Sequence, residues 1–167
     1  MAQTLWQGAA VKQRVYLETT IVSYLTARPS RDLIVAARQQ MTRQWWDGQR
    51  EKLELYVSQL VLNEAAGGDS EAAAARLRML DKLPLLPLTE EVGDLAKGLR
   101  KAGLLPQKAE IDCAHVAAAT VHEMDVLLTW NCRHLANGLI LGKVGRYLRA
   151  RGYEAPTICT PDELMGE

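Results

Sequence analysis

Short apolar segments of strand length alternate along the chain with longer segments whose apolar positions recur at helical spacing. Spacing near 3.6 residues indicates amphipathic helices, and short unbroken apolar runs indicate strands that are buried on both faces. The predicted strands are residues 14–17, 53–57, 85–88, 125–129 and 157–159. The predicted helices are residues 21–26, 31–50, a short helix capped by Ser58, 71–82, 90–101, 109–124 and 135–151. This alternation favours the α/β class, with a central parallel sheet of about five strands and helices on both faces.

The stretch 109–136 joins a predicted helix to a predicted strand and carries polar residues in unexpected places. Asp112 stands near the start of the helix among apolar neighbours, where a lone carboxylate is costly. The strand ends in Thr129-Trp130-Asn131, and open α/β sheets bind ligands at this end of their strands. We therefore expect the Asp112 carboxylate and the Asn131 amide to share a site.

Length and charge set the scale of the molecule. The chain has 167 residues, of which 20 are basic and 20 acidic, so its formal net charge is zero. The length predicts a single domain with a sizeable core, and we place a loose N-terminal arm at 1–13 and the domain at 14–167. The charge balance does not mark the whole chain as a nucleic-acid binder, although a local basic patch can still bind phosphates.

The location is predicted from what the sequence lacks. Three cysteines form no CxxC pair and no secreted framework, which fits a reducing cytosol. No apolar run approaches the length of about 18 residues that a membrane span needs. The N-terminus has no basic region followed by an apolar segment, so we expect no signal peptide. These observations predict a cytoplasmic protein with no membrane association.

Three acidic residues stand where a purely structural role is not obvious. Glu18 directly follows the first strand, Glu64 lies on the expected inward face of a short helix, and Asp112 is the buried carboxylate already described. If they converge with Asn131, their like charges repel strongly unless a cation bridges them. Ligands that are all oxygen suit Mg²⁺ or Mn²⁺, and such an ion supports the hydrolysis of phosphodiesters.

Each of these residues also has a structural interpretation. Glu18 can cap the helix that follows it, and Glu64 can reach solvent or a nearby arginine. Asp112 can form a salt bridge with Lys108, and Asn131 can form a turn. His115, one helical turn beyond Asp112, is expected to pack in the core or to hold Asp112 by a hydrogen bond. The sequence does not decide between these interpretations and a shared metal site.

Together, these residues resemble the PIN-domain family, and in particular the VapC-type toxins of bacterial type II toxin–antitoxin systems. The resemblance covers about 15–164. Its motifs are Leu17-Glu18-Thr19-Thr20, then Glu64 in SQLVLNEAAGGD, Asp112 in AEIDCAHVAAA, Asn131 in VLLTWNCRHLA, and the closing TPDEL. Two positions depart from the family pattern, because the first acid is usually Asp rather than Glu18 and the last is commonly Asp rather than Asn131.

The resemblance implies a Mg²⁺- or Mn²⁺-dependent endoribonuclease that acts as a toxin and is inhibited by a small antitoxin protein. It implies that Glu18, Glu64 and Asp112 hold the metal and that Asn131 completes the catalytic set. The residues to which we assign contact with the RNA substrate are Thr19, Thr129, Lys108 and Arg146. The alternative is a catalytically silent PIN-fold module that binds RNA or protein, because Glu18 and Asn131 depart from the pattern.

Two further surfaces are candidates for partners. Four basic residues close to one another near the end of a predicted helix are available to RNA phosphates or to solvent: Lys143, Arg146, Arg149 and Arg151. Trp45 and Trp46 supply more apolar surface than is needed to cover one short sheet. Together with the family resemblance, this surplus predicts a homodimer.

Overall fold

The computed structural model describes residues 11–106 and 109–165. The strands are β1 (Arg14–Leu17), β2 (Glu54–Ser58), β3 (Leu85–Leu86), β4 (Val126–Leu128) and β5 (Thr157–Cys159). The first helices are α1 (Thr19–Thr26), α2 (Leu33–Gln49), α3 (Gln59–Ala65) and α4 (Ser70–Leu80), and α2 is followed by a 3₁₀ turn (Arg50–Lys52). The later helices are α5 (Glu90–Lys101), α6 (Glu110–Val121), α7 (Gly138–Arg149) and α8 (Pro161–Met165).

The strands form one parallel sheet in the order β3-β2-β1-β4-β5, which confirms the predicted fold class. A site shared by Glu18 and Asn131 requires the first and fourth strands to be neighbours, and this relation is confirmed, because Val15 pairs with Val126 and Leu17 with Leu128. The chain leaves β1 towards β2 on one side and returns as β4 on the other. The strand order therefore reverses at β1, and such a switch point opens a crevice at the carboxyl ends of the strands.

The central strands are covered on both faces. Val15, Tyr16 and Leu17 are at most 1% exposed although they alternate between the two faces, and all three residues of β4 are buried as well. Trp45 is fully buried and Trp46 is 8% exposed, so both tryptophans belong to the core of the single chain. They do not provide the dimer surface that the sequence suggested.

Several boundaries differ from the predictions for local reasons. Glu18 caps α1, and Asp32 caps α2 through a bond from the Val35 N–H, so α2 begins at Leu33 rather than at residue 31. Helix α7 begins three residues later than predicted because the Asn137 side chain accepts from the Leu139 N–H and caps the helix there. Strand β3 is only two residues long, and Pro87, which has no N–H to donate, follows it directly.

The predictions for the ends of the chain have different outcomes. Residues 1–10 of the expected N-terminal arm lie outside the described residues, and β1 begins at Arg14 as predicted.

Within residues 11–106 and 109–165, no helix combines the length and the apolar composition needed to cross a bilayer.

Candidate active site at the carboxyl edge of the sheet

Glu18 enters the site directly from the end of β1. Its backbone N–H donates to the Leu128 carbonyl at 3.0 Å, which continues the β1–β4 ladder by one residue. The side chain is buried, and its Oε2 accepts from the Thr20 N–H at 3.1 Å, the Thr20 hydroxyl and the Thr129 hydroxyl at 2.8 Å. These donors compensate a charge that would be costly to bury alone. Glu18 is therefore both the helix cap that one interpretation expected and an acid held in a fixed position.

Glu64 reaches the same place from α3. Its Oε2 accepts from the Thr19 hydroxyl at 2.6 Å and lies 2.8 Å from Nε2 of His115. Burial by itself raises the pKa of Glu64, but the hydrogen bonds from His115 and Thr19 outweigh it, so the pKa lies below its ordinary value. The Glu64 side chain is therefore an ionised carboxylate at neutral pH, and it is 31% exposed.

Donor atoms of Glu18, Glu64 and His115 all lie within 4.8 Å of one another, and we name these three residues the glutamate group. Each of the two carboxylates is held through Oε2. Within the described residues, Oε1 of neither glutamate accepts a hydrogen bond. Two carboxyl groups this close, each with one oxygen that accepts no hydrogen bond, fit a divalent cation that prefers oxygen ligands, such as Mg²⁺ or Mn²⁺.

Asp112 lies in a neighbouring set of contacts. Its Oδ1 accepts from the Asn131 side-chain N–H at 3.1 Å, and its Oδ2 lies 2.9 Å from Nδ1 of His134. The Asn131 side-chain oxygen accepts from the His134 N–H at 3.1 Å, so Asn131 forms the turn that its structural interpretation expected as well as binding Asp112. We name Asp112, Asn131 and His134 the aspartate group. The expected neighbours Asp112 and Asn131 are thus in contact.

Thr129 joins the two groups. Its hydroxyl donates to Glu18 and accepts the Asn131 backbone N–H at 2.9 Å. The residue is fully buried at the end of β4, so this hydroxyl can bind only what the protein places against it. Thr19 is similarly buried and engaged with Glu64. The hydroxyls of both threonines orient the acids, and the contact with substrate that we expected of them stays a prediction.

The predicted ligand set is therefore divided between the two groups. Glu18 and Glu64 converge, whereas Asp112 is not part of the group whose donor atoms lie within 4.8 Å, and both of its oxygens are engaged by Asn131 and His134. Of the two roles given for His115, packing in the core is confirmed, and the bond to Asp112 is wrong, because His115 binds Glu64 and His134 binds Asp112. The partner of His134 could not be read from helical spacing, since it lies 22 residues away in the sequence.

The two basic residues assigned to substrate have no described contact with these acids. Lys108 lies outside the described residues, and with it the alternative salt bridge to Asp112. Arg146 is exposed in the last turn of α7. Helix α7 runs from the carboxyl end of β4 to the amino end of β5. Its last turn therefore lies near the amino ends of the strands, whereas Glu18 lies at their carboxyl ends. Arg149 and Arg151 are exposed at that same end.

Comparisons with known proteins support the fold. No protein-family model matches the sequence, and no curated protein matches it. Among solved structures, the chain is similar to a chain in the crystal structure of VapBC2 from Rickettsia felis bound to a DNA fragment from their promoter. The TM-score is 0.57 at 14% identity, and the similarity covers 89% of this chain and 98% of the other. The chain therefore has a PIN-like fold, as the resemblance of its motifs predicted.

Proposed function

We propose that this protein is a metal-dependent endoribonuclease and the toxin of a toxin–antitoxin pair. The observation that carries the proposal is the glutamate group, in which Glu18 and Glu64 come within reach of one cation at the switch point of a PIN-like sheet. The similarity in fold to a VapBC2 chain supports the toxin role and an antitoxin partner.

In this proposal Glu18 and Glu64 hold Mg²⁺ or Mn²⁺ through the oxygens that their hydrogen bonds leave available. Such an ion supplies polarisation of a phosphodiester and activation of water. Thr20 and Thr129 fix Glu18, and Thr19 and His115 fix Glu64, so the carboxylates need little reorganisation when a cation binds. Asp112 and Asn131, in the aspartate group, complete the catalytic set. Thr129 connects them to Glu18, because its hydroxyl binds both Glu18 and the Asn131 N–H.

The proposal includes a homodimer in the cytoplasm. Because Trp45 and Trp46 are buried, the apolar surface for a second copy has to come from elsewhere. Leu33 and Ile34 at the start of α2 are 86% and 67% exposed and offer such surface. Light scattering of the purified protein at several concentrations tests this part, and a monomer at all of them contradicts it.

A second candidate is the catalytically silent PIN-fold module that binds RNA or protein. It is favoured by the engagement of Asp112 with Asn131 and His134, which leaves two acids rather than three in the glutamate group. It is also favoured by the role of Glu18 as a helix cap, which accounts for this residue without any cation.

Metal-dependent cleavage of a mixed RNA pool separates the two candidates. The nuclease proposal expects cleavage with Mg²⁺ or Mn²⁺, loss of cleavage with chelator, and recovery when the metal is added back. A mixed single-stranded DNA pool tests the preference for RNA. Glu64→Gln, purified in parallel, controls for contaminating nuclease and should be inactive. RNA that is bound but not cut under all of these conditions supports the silent module.

A further inference from the structure

A chain of buried hydrogen bonds runs beneath Glu64. The Tyr16 hydroxyl lies 2.7 Å from Oγ of Ser58 and 2.8 Å from Nδ1 of His115, and Nε2 of His115 lies 2.8 Å from Oε2 of Glu64. Ser58, Tyr16 and His115 are fully buried, whereas the Glu64 side chain is 31% exposed. This series of hydrogen bonds therefore leads from β1 and the end of β2 through the core to the glutamate group.

With His115 neutral, the chemistry of the four groups gives this series of hydrogen bonds one direction. The Glu64 carboxylate can only accept, so Nε2 of His115 carries the proton between them. In a neutral imidazole Nδ1 is then an acceptor, and the Tyr16 hydroxyl donates to it. Ser58 in turn donates to the Tyr16 oxygen, so each bond polarises the next towards Glu64.

His115 has two possible roles in the glutamate group, as a nitrogen ligand of the cation or as the residue that holds Glu64. Both ring nitrogens are already engaged in the chain, and the side chain is 0% exposed. A ligand needs a free lone pair at the nitrogen that faces the cation, but here that nitrogen donates to Glu64. The second role uses the contacts as they stand.

We propose that His115, held by Tyr16 and Ser58, is a positioning residue that fixes Glu64 through Oε2 and leaves Oε1 to the cation. This inference rests on the cation site of the proposed function, but it assigns new residues to it. None of the three acts on the substrate. Their effect is on the affinity and the ligand set of the metal, and both can be measured without RNA.

Calorimetric titration with Mn²⁺ tests whether these hydrogen bonds affect metal affinity, and Tyr16→Phe is the first variant. The substitution removes one hydroxyl and keeps the ring, and we expect Mn²⁺ affinity to fall by about fivefold, the size of one net hydrogen bond. The matched control is Tyr56→Phe on the neighbouring strand, whose hydroxyl binds exposed Glu54 and has no link to His115. The control should leave the affinity within about twofold of the wild type.

Ser58→Ala is the second variant and covers the case in which Tyr16→Phe does not fold. Ser58 occupies the N-cap position of α3, yet its side chain makes no capping bond. The loss of its hydroxyl therefore affects the hydrogen bond to Tyr16 and not the end of the helix. A smaller decrease in Mn²⁺ affinity than for Tyr16→Phe is expected, because Ser58 is one bond further from Glu64.

Two variants of His115 distinguish a positioning residue from a ligand. His115→Gln can still donate an N–H to Glu64, whereas His115→Leu cannot, so a positioning role predicts tighter Mn²⁺ binding by the Gln variant. A ligand role predicts that both variants lose a directly bound imidazole nitrogen. Electron spin-echo spectra of bound Mn²⁺ give an independent result, and a positioning role predicts no ¹⁴N coupling from a directly bound imidazole.

The outcomes separate this inference from the proposed function. If wild type binds Mn²⁺ and Tyr16→Phe and Ser58→Ala bind it equally well, the inference is overturned and the metal site stands. A ¹⁴N coupling that His115→Leu abolishes also overturns it. If wild type binds no Mn²⁺, both the inference and the proposed function fail. Weaker binding in the chain variants, with Tyr56→Phe unchanged, supports the inference.

Discussion

The glutamate group and the aspartate group lie at the same edge of the sheet, but their acids are held in different ways. Glu18 and Glu64 each receive their hydrogen bonds on one oxygen, and the donors come from threonines, a backbone N–H and a buried histidine. Asp112 receives bonds on both oxygens. The glutamate group therefore has carboxylate oxygens available to bind a cation. In the aspartate group, both oxygens of Asp112 already bind protein side chains.

The comparison shows that an acid's position in a motif does not determine its chemical role. Asp112 matches the family pattern well and Glu18 departs from it, yet Glu18 is the residue whose surroundings resemble a ligand site. The longer side chain of Glu18 can cap α1 and still present its second oxygen. The two groups remain coupled through Thr129, so a change in one is expected to reach the other.

Glu18→Gln should have the largest effect of any single change. The variant keeps an oxygen that can accept from Thr20 and Thr129 but removes one of two adjacent charges. We expect it to abolish RNA cleavage and to weaken Mg²⁺ or Mn²⁺ binding by at least about tenfold, roughly 1.4 kcal/mol. Calorimetric titration measures the affinity, and Glu54→Gln, an exposed acid on β2, serves as the control. If the Gln variant binds metal as tightly as wild type, Glu18 is not a ligand.

Thr129→Val tests the connection between the two groups. It removes the donor to Glu18 and the acceptor for the Asn131 N–H and adds no volume of consequence. Because these partners lose buried hydrogen bonds, the free energy of unfolding should fall by about 1–3 kcal/mol. Urea denaturation measures it. Thr26→Val, which loses only one half-buried bond to Val22, is the control and should cost less. Equal losses would indicate that Thr129 does not join the groups.

Asp112→Asn tests the difference between the groups. If the aspartate group only supports the site, the metal affinity should fall by less than about threefold, well below the effect of Glu18→Gln. Calorimetry under the same conditions gives the comparison. A loss as large as that of Glu18→Gln would make Asp112 a ligand and would merge the two groups into one metal site, as the sequence resemblance implied.

Arg146→Ala should have the smallest effect. The side chain lies in the last turn of α7, near the opposite edge of the sheet, so the change should leave both metal affinity and the rate of RNA cleavage within about twofold of wild type. The substrate role that we assigned to Arg146 from sequence predicts weaker RNA binding instead, which filter binding or anisotropy measures.

Most of the fold was accessible from the sequence because strands and helices depend on local patterns. The strands near Val15 and Leu127 and the full span of α5 were predicted from the apolar patterns. The adjacency of β1 and β4 followed from a chemical requirement, that the residues after them meet. Boundaries were missed where a side chain such as Asn137 stops a helix before its apolar pattern ends.

The site was less accessible because its contacts join residues far apart in the chain. His115 meets Glu64 across 51 residues and Tyr16 across 99, and no spacing rule indicates such a pair. Periodicity placed His115 on a buried helix but could not choose its partner. Likewise, Thr19 and Thr129 were assigned to substrate contact from the sequence, while their role in orienting the acids depends on three-dimensional contacts.

The central claim is that Glu18 and Glu64 hold one divalent cation between them. A crystal of the protein soaked in Mn²⁺ and measured for anomalous scattering tests it most directly. The account predicts a peak bound by one oxygen of each glutamate, with His115 still hydrogen-bonded to Glu64. No peak at the glutamate group, or a peak that is bound instead by Asp112 and His134, would contradict it.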